Sequence, residues 1–353
     1  MLRRQFLSGL ALAPLAAGAL GSGLAAGWPA ARAQDSPIFF RIGTGSTAGT
    51  YFPVGGLIAS AISHPPGSRP CDSGGSCGVP GLIAVVQSTE GSVYNVQAVA
   101  KGQLESALSQ ADVAYWAYHG EGPFAEQPPL SNLRAIANLY PESVQLVASV
   151  ASGVRSVADL ADKRVSIDLD GSGTQIDAKL ILKAWGLTPE DLDVRTVSAN
   201  EAVEQLREGE LDAFFYVAGT PTTAIEALAR DTSIRLVPID GEPAERLLED
   251  YPFFARGFIA AGLYRSVPST VTLSVGAQWI CSAEIDEALI YEVTTALWHE
   301  NTRRLLDAGH QKGRLIAYGT ALNSLGIPLH RGALRYYRER RVIVPDVLEP
   351  PTP

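Results

Sequence analysis

The sequence is poor in the residues that most often carry enzyme chemistry. Its five histidines, His64, His119, His299, His310 and His330, never fall at a metal-ligand spacing such as H-E-x-x-H. There are three cysteines and a single methionine. Cys281, in "QWICS", lies in no motif that would activate a thiol and reads as a small buried apolar residue. No catalytic constellation is visible, so the chain reads as a non-enzyme without a cofactor or a metal. Basic clusters are equally scarce. Only "RYYRERR", Arg335 to Arg341, stands out, and it reads as the solvated face of a last helix. With 37 acidic against 28 basic residues and a net charge of −9, nucleic acid is excluded as the partner.

What is present begins with an export signal. Arg3-Arg4 gives a charged start, Phe6 to Leu24 is apolar or small, and Ala31-Arg32-Ala33 has the A-x-A form of a cleavage site. A membrane anchor would need about 20 strongly apolar residues, whereas this run is rich in Ala and Gly. Residues 1–33 are therefore expected to be removed on export to the periplasm, and Arg3 to Leu7 resembles a twin-arginine signal. No cysteine follows the run, which argues against a lipid anchor. Losing Arg3, Arg4 and Arg32 takes the net charge from −9 to −12. An oxidising compartment suits a disulfide between Cys71 and Cys77 of "CDSGGSC". Metal binding is the alternative, but no His or further Cys flanks the pair at ligand spacing. Closing so short a loop contributes about 2 kcal/mol on the chain-entropy model.

Strand-like and helix-like segments alternate along 34–353, which predicts an α/β fold. Phe39 to Ile42 reads as a strand, followed by a glycine loop and a helix from Pro53. Leu82 to Val86 is a second strand and Val93 to Ala100 a helix. The plan recurs downstream, with a strand at Arg164 to Ile167, a loop "DLDGSGT" and a helix at Ile176 to Ala184. Ser198 and Glu201 form a capping box, and a late helix spans Glu284 to Leu297. "GQLESA" at Gly102 and "GELDAF" at Gly209 echo each other, each downstream of its own glycine loop. Two similarly wired lobes are expected: 34–143, then 144–255, with 256–353 crossing back and returning its helices mainly to the first lobe. Leu133 to Val150 is read as one crossing segment and Phe253 to Tyr264 as the return.

The glycine loops carry the functional reading. A dinucleotide turn is disfavoured, because the third glycine is one residue late and no Asp or Glu lies between Ser60 and Cys71. No Lys follows in Walker fashion. Gly43 to Tyr51, "STEGSVYN" at Ser88 to Asn95, Gln110, and Gly171 to Thr174 instead supply N–H groups and hydroxyls at strand ends and helix starts. There the helix dipole and unpaired N–H donors favour an anion. Asp168, Asp170 and Asp177 read as solvating the second glycine loop and complementing its helix N-terminus. The pattern describes a cleft for a small anionic or zwitterionic molecule.

"IGTGSTAGTYFPVGG", "QSTEGSVYNV", "SQADVAYWAYHG", "LYPESVQLVA", "GSGT", "GELDAFFYVAGTP", "LVPIDG" and "PLHRGALRYYRE" occur in this order from about Phe39 to Glu339. In this the chain resembles the TAXI family of extracytoplasmic solute receptors that serve TRAP-type transporters. The resemblance implies a type II periplasmic-binding fold, two α/β lobes closing on a small carboxylate such as a glutamate-like amino acid or a dicarboxylate, and a TRAP-type integral membrane permease as partner. Carried over by motif, the site comprises Thr44, Ser46, Thr47, Thr50 and Tyr51, with Thr89, Ser92, Asn95 and Gln110. Ser172, Gly173 and Thr174 join them, with Tyr216, Ala218 and Gly219 on the opposing lobe. Ser46 and Ala48 stand where the family loop is closer to Gly-Gly, and Ala218 replaces a common glycine. A periplasmic hydrolase or transferase using the acidic residues near Gly171, and a stand-alone chemosensory binding module, are the alternatives.

Overall fold

The computed structural model describes residues 36–351; the export signal expected at 1–33 lies outside them. The chain begins with β1 (Ile38–Gly43), α1 (Tyr51–Ile62), β2 (Ser63–His64), β3 (Val79–Pro80), β4 (Leu82–Gln87) and α2 (Ser92–Ala100). It continues through β5 (Ser106–Gln110), α3 (Ala111–His119), β6 (Leu133–Ser149), β7 (Arg164–Ser166), α4 (Gly173–Ala184) and β8 (Asp193–Arg195). Next come α5 (Ala199–Glu208), β9 (Ala213–Ala218), α6 (Thr223–Asp231), β10 (Ile234–Val237), α7 (Glu242–Asp250) and β11 (Ala255–Ile259). β12 (Thr270–Ser282), α8 (Glu287–Leu297), α9 (Glu300–Gly309) and α10 (Arg331–Glu339) complete it.

One mixed sheet runs in the order β4-β1-β5-β12-β6-β9-β7-β8, with β10 beside β6 and β11 beside β12. β6 and β12 are far longer than the other strands and run antiparallel to each other from Leu133/Ser282 to Ser143/Ser274. The first half of β6 lies among β12 and its neighbours, whereas Ser143–Ala148 pairs with β9 and Leu146–Ser149 with β10. "YPES" therefore does not interrupt the segment. The return crossing is not Phe253 to Tyr264, as the sequence suggested, but β12; Ala255–Ile259 is an antiparallel strand laid along its first half. Both segments are apolar, and only pairing with β5 separates the one that crosses.

Side-chain periodicity explains how one sheet carries cores on both faces. On β9, Phe215 and Val217 pack towards α4 and α7 with Ile181, Leu182 and Leu247. The alternate residues Phe214 and Tyr216 pack towards α5 and α6 with Leu206, Ile225 and Leu228, as the two-residue period of a strand requires. At the other end, Phe40 and Ile42 of β1 pack with Val54, Ile58 and Ile62, four residues apart on α1. Trp279 of β12 and Tyr337 of α10 join that core; α8 and α9 pack beside α1, and α10 packs on α8.

Local signals were met with small shifts. α1 starts two residues before Pro53. Ser198 caps α5 through Glu201 N–H, but the Glu201 carboxylate accepts from Gln205 rather than closing the box. α8 starts at Glu287, three residues later than expected, and is capped by Asp286; the Ser282 hydroxyl accepts from Glu284 N–H in the preceding turn. Cys71 and Cys77 are bridged, and Cys281 is free and buried. Among the described residues, no helix is long and apolar enough to cross a membrane.

Candidate functional site

β1, β4 and β7 end at one place in the fold, and the chain enters α1, α2 and α4 from there. The result is a cavity of about 40 Å³ lined by Thr50 and Tyr51, Gly91 and Ser92, and Ser172, Gly173 and Thr174, all at these helix starts. The first-turn N–H groups of a helix have no partner within it, so three positive helix ends converge on one small volume. Gln110, the residue just before α3, joins them. Across the cavity stand Tyr216, Val217 and Ala218 from the end of β9. The Thr174 hydroxyl accepts from Val217 N–H at 3.1 Å and ties α4 to that strand.

Of the residues expected at the site, Ser46, Thr50, Tyr51, Ser92, Gln110, Ser172, Gly173, Thr174, Tyr216 and Ala218 line the cavity. The other five lie outside its lining. Thr44 is buried, with its hydroxyl donating to the Gln87 carbonyl. The Thr44 carbonyl in turn accepts from Thr89 Oγ1 at 3.0 Å and Asn95 Nδ2 at 2.6 Å. These three residues fasten the first loop to the second. Thr47 is exposed, and the Gly219 carbonyl accepts from Thr50 Oγ1.

Sequence reasoning missed Glu142 and Asp112 and read Asp168 and Asp177 as solvated. Glu142, in β6, is 2 % exposed and accepts from the Tyr51 hydroxyl at 2.6 Å. Burial pushes its pKa up to about 8, against the pull of that hydrogen bond and of Lys312. The Lys312 ammonium is itself buried, with Nζ 3.2 Å from the Pro141 carbonyl, and burial lowers its pKa. Asp168 is buried in a left-handed conformation, φ 72°, and burial raises its pKa to about 6. Asp177 does not solvate the glycine loop as expected: it is fully buried on α4, facing Asp112 at the start of α3. Gln110 Nε2 donates to Asp177 Oδ2 at 2.6 Å. Neither Asp112 oxygen nor Asp177 Oδ1 meets an N–H or O–H donor of another residue. Burial raises the pKa of both; the charge of Asp112 further opposes ionisation of Asp177, whereas the hydrogen bond from Asp177 draws Asp112 down, so the pair holds a shared proton on the Asp177 side. No Arg or Lys lines the cavity.

Two glycines are needed for close approach rather than for turn geometry. A Cβ on Gly173 would sit 1.6 Å from Gln110 Oε1, and one on Gly49 would sit 2.2 Å from the Tyr216 hydroxyl. The loops are bare because side chains from elsewhere lie directly against them. A second pattern proves inert. Gly74 to Gly78 fits G-x-S-x-G, but it lies inside the disulfide loop, where the Ser76 hydroxyl donates to the Ser63 carbonyl. It is not the strand-to-helix turn that a serine nucleophile requires.

An α/β sheet threaded by two long antiparallel strands, with its cavity at strand ends and helix starts, is the periplasmic-binding-protein fold. Residues 42–340 match the NMT1-like family, and the chain belongs to it. Among solved structures, a Bordetella bronchiseptica protein is 14% identical with a TM-score of 0.50, over 87% of this chain and 90% of that one. The periplasmic aliphatic sulphonate binding protein SsuA of Escherichia coli is 15% identical, with a TM-score of 0.42 over 86% and 84%. PhnD1 of Prochlorococcus marinus, solved with methylphosphonate, is 10% identical, with a TM-score of 0.46 over 86% and 99%.

Proposed function

We propose that the chain is an extracytoplasmic solute-binding receptor, exported to the periplasm, that captures a small carboxylate between two lobes. The carrying observation is the convergence of the α1, α2 and α4 starts on one cavity with no guanidinium or ammonium in its lining. Each helix end contributes roughly 0.3–1 kcal/mol toward an anion, up to about 2 when desolvated. Free N–H groups and the hydroxyls of Ser92, Ser172 and Thr174 hold the carboxylate. Glu142, neutral when protonated, donates to a second carboxylate of a dicarboxylate; ionised, it accepts the ammonium of a glutamate-like amino acid. A volume of 40 Å³ is far below the roughly 300 Å³ at which ligand pockets begin, so entry requires the lobes, about 34–143 with the C-terminal helices and 144–255, to part. The closed form then delivers its ligand to a TRAP-type membrane permease; an ABC-type importer is the rival partner.

Thermal-shift screening of protein freed of co-purified ligand tests this with glutamate, glutamine, 2-oxoglutarate and short dicarboxylates. One acid is expected to raise the midpoint by several degrees. Tyr51→Phe and Thr174→Ala should each weaken it about tenfold by calorimetry, the loss of about one charge-assisted hydrogen bond. Unchanged affinity in both variants would remove the site assignment, and turnover of any compound would turn the reading towards an enzyme.

A further inference from the structure

The loop carrying Cys71 and Cys77 lies against the start of α9. His299, more than two hundred residues away in the chain, caps that helix, its Nδ1 accepting from Asn301 N–H at 3.1 Å. Cys71, Cys77 and His299 each offer one ligand atom, all within 4.8 Å of one another, and all three residues are half-buried. Asn301 Nδ2 lies 2.8 Å from Cys77 Sγ, while Arg304 holds the amide oxygen at 2.6 Å and so turns the N–H towards sulfur. A sulfur that receives an amide N–H at the positive end of a ten-residue helix is in surroundings that suit a thiolate.

We propose that the reduced pair Cys71 and Cys77, together with His299, forms a binding site for a thiophilic d10 cation such as Zn2+ or Cu+, closed by the disulfide. Tetrahedral coordination with metal–sulfur bonds of about 2.3 Å and metal–nitrogen bonds of about 2.0 Å places the ligand atoms roughly 3.5–3.8 Å apart. The side chains reach that spacing by parting the two sulfurs and drawing in the imidazole. The loop holds its shape through bonds that do not involve sulfur: Ser73 and Gly75 N–H donate to the Pro70 carbonyl at 3.1 and 2.9 Å, and the His64 imidazole lies 2.8 Å from the Ser76 carbonyl. A dithiol reductant breaks the S–S bond, supplies two electrons and two protons, and leaves as its own disulfide. The cation then displaces both thiol protons, and His299 gives up its capping bond to Asn301, either because Nδ1 itself coordinates or because the ring proton moves to Nδ1 to free Nε2. Three protein ligands leave one coordination position to solvent. Asn301 becomes the hydrogen-bonding partner that orients the Cys77 thiolate.

The test reduces the purified protein with excess dithiol, removes the reductant without air, and titrates Zn2+ against a chromogenic chelator. One Zn2+ per chain is expected after reduction and none in the oxidised protein. Co2+ should give the visible absorption of a tetrahedral thiolate site. His299→Asn keeps a good helix cap and should weaken Zn2+ binding tenfold or more, with the thermal midpoint little changed. Equal Zn2+ binding by oxidised and reduced protein, equal affinity in His299→Asn, or loss of the folded circular-dichroism spectrum on reduction would each overturn the proposal.

Discussion

Gly173→Ala is expected to abolish ligand capture at micromolar ligand while leaving a folded protein. The backbone of Gly173 opens α4 and has no need of a left-handed conformation, so alanine favours the helix there. The conflict is chiefly with Gln110: the new Cβ would lie 1.6 Å from its Oε1 and 2.5 Å from its Cδ, with Ser92 Oγ next at 3.1 Å. Gln110 must swing away, breaking its bond to Asp177 and its contact with Ser92. An orphaned buried polar group costs roughly 1–3 kcal/mol, and the added methyl occupies part of a cavity of only about 40 Å³. Together these predict at least a hundredfold loss in affinity by calorimetric titration. Lys179→Ala, on the exposed side of the same helix, is the control and should bind normally. Wild-type affinity in Gly173→Ala would mean that the ligand does not touch this side of the cavity.

The second large effect is a fall in stability as pH rises from about 5 to 8. Glu142, Asp168 and the Asp112–Asp177 pair all have folded pKa values raised above those of an unfolded carboxyl. Their contribution is complete below the unfolded pKa, near 4, and is lost as pH climbs through the folded values, about 6 for Asp168 and about 8 for Glu142. Between those limits the folded state holds protons that the unfolded state has released. Stability then drops by about 1.4 kcal/mol per pH unit for each such proton. Denaturant titrations of the ligand-free protein at pH 5, 6.5 and 8 should show the decline. Asp177→Asn replaces the shared proton with a fixed amide donor to Asp112, and its oxygen still accepts from Gln110. It should flatten the slope by about one proton and be the more stable form at pH 8. A slope that rises with pH, or one that Asp177→Asn leaves untouched, would show that the pair ionises freely.

The parts of this molecule that were legible in the sequence are those set by neighbouring residues. Glycine loops before apolar periodic runs mark strand ends and helix starts, and α1, α2 and α4 begin within two or three residues of the expected places. The hydroxyl-rich loops were harder to apportion, because a threonine that satisfies a stray carbonyl and one that meets a ligand look alike in sequence. Thr44, Thr89 and Asn95 proved to be fasteners, whereas Thr50 and Thr174 line the cavity. Glu142, Asp112 and Asp177 were illegible for a different reason. An acidic residue inside "YPES", or in the first two turns of a helix, is normally solvated. Only the pairing of β6 with β12, and the contact between α3 and α4, takes these three out of water. Long-range burial of that kind leaves no local trace, and neither does the approach of His299 to the cysteine pair.

β6 and β12 lie side by side and continue without a break through the middle of the sheet. Two joined rails resist sliding along their length, since any slip would break a whole ladder of bonds at once. They give way more easily by flexing where the ladder is already irregular, and β12 shifts register at Ala277/Gln278 and again at Trp279/Ile280. For the lobe motion proposed above, the expected path is therefore rotation rather than sliding, and one distance between two spin labels, on α2 and α5, would follow it.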